Sequence, residues 1–130
     1  GTFEAAEIYR SRFVPSHILS EPYMIVTANV LAADTDEEAL WHAKSSRLTG
    51  YLRRTGRFLP LPSAQDAADH PDIAEAERMP SSRIVGNGEH VADQLHQLVV
   101  RVNANEAMVT AVAYETSARV RSLELLAKYW

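Results

Sequence analysis

Apolar positions recur along this chain in two periods, and the elements follow from them. From Thr2 to Phe13, the residues Phe3, Ala6, Tyr9, Arg10 and Phe13 return at three- and four-residue spacing, which predicts a helix with Thr2 as its N-cap. Pro15 ends it, because proline cannot continue the hydrogen-bond ladder and restricts Val14 before it. Residues 16–22 are a connector. Tyr23–Ala33 (YMIVTANVLAA) is nearly all apolar, with only Thr27 and Asn29 polar. Such a run suits a parallel strand buried on both faces. A buried helix competes with that reading, but the β-branched content and the Pro22 boundary favour a strand.

The polar run Asp34-Thr35-Asp36-Glu37-Glu38 then reads as a helix start. Asp34 with Glu37, or Thr35 with Glu38, has capping-box spacing, and acids suit the positive end of the helix dipole. The helix is expected over about Glu37–Leu52. Between Thr49 and Arg83 the period is lost, punctuated by Gly50, Gly56, Pro60, Pro62, Pro71 and Pro80. Short helices are expected at Ala64–Asp69 and Asp72–Met79 within this excursion, which is longer than an ordinary connection. A Gly86-Asn87-Gly88 turn leads into a helix with Val91, Leu95, Leu98, Val99 and Val102 on one stripe. Asn103–Asn105 breaks it. Ala107–Tyr114 (AMVTAVAY) predicts a second buried strand, and Ser117 a cap for a last helix whose face carries Val120, Leu123, Leu126, Ala127 and Trp130.

Two buried parallel strands joined through helices mean an α/β architecture. Two strands cannot bury both of their own faces, and sheets usually have about 5–6 strands. The pattern is that of a piece of a larger sheet. Composition narrows the function classes. At 130 residues one compact domain is expected, and 46% apolar with 23% charged residues excludes a disordered chain. The net charge of −4 argues against a nucleic-acid partner. With no cysteine, thiolate nucleophiles, disulfides and Cys-based metal sites are impossible. No apolar run approaches the ~20 residues of a membrane span, and no signal segment opens the chain, so no membrane partner and a cytoplasmic location are expected.

Candidate chemistry is sparse. A capped helix start accounts for every acid in Asp34–Glu38, so no metal is expected there. His90 and His96 lie six apart and share no helix face well. His17, His42 and His70 have no partner pattern. Gly-x-Ser-x-Gly is absent. Gly86-Asn87-Gly88 is neither a P-loop nor a full dinucleotide fingerprint; it reads as a structural turn, with anion contact at the following helix start as the alternative. Arg53, Arg54 and Arg57 form the one basic cluster, a solvated loop on one reading and a phosphate contact on the other. Trp41 and Trp130 read as packing residues on amphipathic helices.

Several stretches, taken in order, resemble the C-terminal part of bacterial luciferase-like flavin-dependent monooxygenases, the LLM-class oxidoreductases. They are YRSRFVPS (Tyr9–Ser16), EPY (Glu21–Tyr23), AADTDEEA (Ala32–Ala39), RIVG (Arg83–Gly86), MVT (Met108–Thr110) and RVRSLELL (Arg119–Leu126). Where the family usually has Pro-Glu after the glycine turn, this chain has Gly88-Glu89. The resemblance implies a C-terminal fragment of a TIM (β/α)8 barrel, a fold of about 250 residues. Tyr23–Ala33 would be its seventh strand, Ala107–Tyr114 its eighth, and residues 49–83 an excursion over the active face. It further implies oxygenation of a small organic substrate with reduced FMN and O2, by a parent protein of which this segment alone is inactive. Gly86, Gly88 and Arg53 become candidate cofactor contacts. Tyr114, Glu115 and Thr116 become candidate substrate contacts, because barrel sites lie at the C-terminal ends of strands. The unsealed strands imply a homo-oligomer, or association with the missing barrel part. A non-catalytic partial-barrel binding or assembly module is the alternative.

Overall fold

The computed structural model describes residues 1–130. It contains six helices and one parallel sheet. The order is α1 (Thr2–Ser11), β1 (Ile25–Ala33), α2 (Asp36–Arg54), α3 (Ala64–Ala68), α4 (Ile73–Arg78), β2 (Ile84–Asn87), α5 (Gly88–Val102), β3 (Glu106–Thr110) and α6 (Thr116–Tyr129). The sheet order is β2-β1-β3. β1 pairs with β3 over Ile25–Asn29 and with β2 over Val30–Ala33, both in parallel.

The α/β architecture agrees with the expectation, and two features correct it. There are three strands, not two: Ile84–Asn87 was expected as the approach to a turn and instead forms β2, running straight into α5. At four residues it is too short to show a period. The last strand is also shorter than expected, ending at Thr110 rather than Tyr114, and no residue in it is fully buried. Smaller differences are at the caps. Gly1, not Thr2, precedes α1, and Glu115, not Ser117, precedes α6.

The even positions of β1 are sealed by α5 and α6. Val30, Ala32, Val91, Leu95 and Leu125 share the main core, with Ala107 and Val109 of β3 packed against it. β1 outruns β3 at its C-terminal end, and α6 takes over there: the Ala32 amide donates to Ser122 Oγ at 2.8 Å, and Ser122 is wholly buried. The odd positions differ. Leu31 packs on Ala43 of α2 and on Ala113, but below it Ile25 is 47% exposed, and Met108, whose backbone pairs with Thr27, is 55% exposed. Nothing in the chain covers Thr27 or Thr110. β2 and β3, each paired only with β1, are edge strands.

Local chemistry fixes the ends. Thr35 caps α2, its hydroxyl accepting from the Glu38 amide at 3.2 Å, as the spacing predicts. Asn103 ends α5 in the left-handed region (φ 49), which its short polar side chain tolerates. Arg10 of α1 donates to the Val102 and Asn103 carbonyls, both at 2.5 Å, so a cation sits at the negative end of α5. Asn105 then exchanges hydrogen bonds with Met24: its amide donates to the Met24 carbonyl and its Oδ1 accepts from the Met24 amide, each at 2.8 Å. That pair sets the register in which β1 and β3 begin. Within residues 55–83, α3 and α4 form where the sequence predicts short helices. Leu48 and Leu52 of α2 bury against Ala67 of α3 and Ala76 of α4. No helix is long and apolar enough to cross a membrane.

Candidate functional site

A cleft of about 300 Å³ opens between the C-terminal half of α2 and the segment leading into β2. Its cationic wall comes from helical spacing. Arg47, Gly50, Tyr51 and Arg54 lie at i, i+3, i+4 and i+7, so α2 presents them on one face, with Arg53 beside them. Met79–Arg83 forms the opposite wall and Asn29 of β1 reaches the lining from the sheet. Four guanidinium groups line the cleft, and no carboxylate does.

These arginines differ in how they are held. Arg47 donates to the Met79 carbonyl at 3.0 Å and to the Glu77 carbonyl, tying the end of α4 to α2. Lys44 pairs with Glu77 at 2.5 Å beside it. Arg53 and Arg54 are exposed and form no ion pair. Arg83 is half-buried, and its Nε is sealed from solvent with no hydrogen-bond partner. Its guanidinium lies over Gly50: a Cβ there would stand 3.7 Å from Nη1. Burial first, and then the charges of Arg47 and Arg53, lower the Arg83 pKa from its ordinary value. A partly desolvated cation beside other cations, with no acid in the cleft, is an arrangement that an anion would relieve.

Of the three arginines in the basic cluster seen in the sequence, Arg53 and Arg54 line this cleft and Arg57 does not; it pairs with Asp72 at 2.8 Å. Arg47 and Arg83 join them only through the fold. The helical spacing of Arg47 with Arg54 was readable, but nothing local brings in Arg83, twenty-nine positions past Arg54.

The other candidate residues lie elsewhere, at the C-terminal edge of the sheet. Gly86 is inside β2 and Gly88 opens α5. A Cβ on Gly86 would come within 2.8 Å of His90 and 3.0 Å of Asp36 Oδ1. One on Gly88 would meet Leu125 at 2.9 Å and the Tyr129 ring at 3.0 Å. Close packing accounts for both glycines. The Asn87 amide donates to Asp36 Oδ1 at 2.7 Å and the His90 amide to Asn87 Oδ1 at 2.9 Å, so these two donors at the start of α5 are already engaged. Tyr114, Glu115 and Thr116 follow β3 at the same edge, all exposed; the Thr116 hydroxyl accepts from Arg119 at 2.8 Å. They are not brought together with Arg53.

Three acids of the Asp34–Glu38 run contact protein groups: Asp34 meets Arg121, Asp36 accepts from Asn87, and Glu38 lies 3.9 Å from His42. Asp34 pairs with Arg121 at 2.6 Å, and that hydrogen bond lowers its carboxyl pKa. No group of three or more His, Asp or Glu side chains is arranged to hold a metal ion. Trp41 and Trp130, expected in packing, are both partly exposed, and Trp130 meets the His96 ring edge-on at 5.8 Å.

No family model matches the chain. Over 99% of its length it is 35% identical to the uncharacterized protein YvbT of Bacillus subtilis strain 168, and over 95% it is 34% identical to YceB of the same organism. It is 29% identical, over 95% of its length, to a luciferase-like monooxygenase of Escherichia coli K12. The crystal structure of apo-MsnO8 superposes on 98% of the chain with a TM-score of 0.84 at 29% identity. The chain spans about two-fifths of each: 40% of YvbT, 39% of YceB, 38% of the Escherichia coli protein and 40% of the MsnO8 chain. It is thus a distant homologue of a luciferase-like monooxygenase, corresponding to part of a larger protein chain.

Proposed function

We propose that this chain is the C-terminal segment of a flavin-dependent oxidoreductase of the luciferase-like class, and that its sheet is part of the wall of a TIM barrel. The observation that supports this best is the unsealed odd face of β1 and β3, together with similarity to a luciferase-like monooxygenase along nearly the whole chain. A parallel sheet is normally covered on both faces. In a barrel the face carrying Ile25, Thr27, Asn29, Met108 and Thr110 would point inward, packed by layers from the other strands. The free edges of β2 and β3 would pair with neighbouring strands. The isolated chain should therefore self-associate, or bind the rest of the barrel.

FMN is the cofactor this reading implies, and when bound it supplies the redox chemistry that lets O2 oxygenate an organic substrate. The cleft beside α2 supports a site for its phosphate. Arg53 faces an acid-free cleft with an unsatisfied buried N–H, whereas the surroundings of Gly86 and Gly88 are filled by side chains. Tyr114, Glu115 and Thr116, past the end of β3, would contribute to the substrate pocket and help exclude water from it.

The test is spectroscopic. FMN added to the protein at its native length should show a shifted, quenched flavin spectrum, and reduced FMN, O2 and an organic substrate together should give an oxygenated product, oxidised FMN and water. The 130-residue chain alone should give no turnover. A native-length protein that leaves the flavin spectrum unchanged would refute the proposal. Tyr114→Phe in that protein should change KM or kcat; unchanged kinetics would remove Tyr114 from the pocket.

A further inference from the structure

We propose that the cleft between α2 and Met79–Arg83 is a binding site for a phosphate group, with Arg83 at its centre and Arg53 and Arg54 at its rim. The inference stands whether or not the protein uses a flavin. It rests on the match between the cleft and its ligand. Of the seven arginines elsewhere in the chain, four pair with an acid: Arg10 with Glu7, Arg57 with Asp72, Arg78 with Glu75, and Arg121 with Asp34 and Glu124. In the cleft none does, although the chain carries more acids than bases.

The burial of Arg83 makes this more than a surface patch. Its Nε has given up water and gained no partner. Gly50 leaves room for the guanidinium to lie against the helix, and Arg47, fixed by the Met79 carbonyl, holds the opposite wall in place. Ser81, whose hydroxyl accepts from the Arg83 amide at 3.2 Å, and Ser82 line the same space. A carboxylate carries one negative charge and would leave most of this charge unmatched. A phosphate monoester carries about −1.5 to −2 at neutral pH and three acceptor oxygens, which suits converging guanidinium groups. At about 300 Å³ the cleft also has room for more than a bare ion.

Calorimetric titration of inorganic phosphate into the native-length protein tests the site, with chloride at equal ionic strength as the reference. Wild type should bind. Arg83→Gln should weaken binding on the order of 10- to 100-fold, as expected for loss of a charge-assisted hydrogen bond. The double variant Arg53→Ala/Arg54→Ala should weaken it less. Because those two side chains are exposed and unpaired, this variant keeps the test open even where Arg83→Gln does not fold. Competition identifies the source of the phosphate. Displacement by FMN but not by riboflavin assigns the cleft to the cofactor's own phosphate. Displacement by ribose 5-phosphate with FMN ineffective assigns it to a separate phosphorylated ligand. Either result upholds the site. No phosphate binding by wild type, or equal binding by all three proteins, overturns it.

Discussion

The two faces of the β1–β3 pair share one backbone and have opposite environments. On the even face, Val30, Leu95 and Leu125 are closed over by α5 and α6. On the odd face, Ile25, Thr27 and Met108 meet solvent. On the open face Ile25 and Met108 are no more suited to water than ordinary core residues, while Thr27, Asn29 and Thr110 beside them are polar. The difference therefore lies in what the chain supplies to cover each face: two helices for one, and for the other only the Leu31 end, under α2. A parallel sheet with one face finished and one face bare fits the proposed barrel wall, which is why the short, half-exposed β3 is informative.

The largest effect should come from opening the finished face. Leu95→Ala should destabilise the protein by about 2–5 kcal/mol in urea denaturation, since it leaves a cavity under fully buried neighbours. Gly88→Val should cost about 1–3 kcal/mol, because its side chain would press α5 away from Leu125 and Tyr129. Ser122→Ala strands the Ala32 amide, at about 1–3 kcal/mol. Met108→Ala on the bare face should change the stability of the 130-residue chain by less than about 0.5 kcal/mol. Comparable losses from Leu95→Ala and Met108→Ala would erase the contrast between the faces.

The smallest effect concerns the exposed Asp34–Arg121 pair, which joins the end of β1 to α6. The folded carboxyl pKa is lowered, so the pair's contribution is present above the unfolded value of about 3.9 and is lost as pH falls through the folded value. Asp34→Asn should lower the melting temperature slightly at neutral pH, as expected for an exposed pair, and converge with wild type as pH falls through the folded value, so that its acid limb is shallower. An unaltered acid limb would count against the pair.

How much of this was legible follows from the range of each interaction. The long apolar run of β1 and the stripe Val91–Leu95–Val102 of α5 are periodic over many residues, and both elements lie close to where the sequence puts them. The Thr35 cap is local and was readable for the same reason. β2 was missed because four residues hold no period, and its pairing with Val30–Ala33 is made across more than fifty positions. β3 was expected to be longer and buried because AMVTAVAY is apolar, and apolar sequence does not say who covers it. In the cleft, Arg53 and Arg54 were visible as neighbours in sequence. Arg83 was visible only as part of RIVG, and its unsatisfied Nε is a property of the packed chain.

The bare face can be tested with one introduced thiol, since the chain has no cysteine of its own. Met108→Cys should react with a thiol reagent at close to the rate of an unfolded control when the 130-residue chain is labelled alone, diluted until it is monomeric. In the native-length protein the same residue should be protected by at least an order of magnitude, because facing strands would cover it. Equal, fast labelling in both would show that nothing closes over this sheet, and that the strands are not part of a ring.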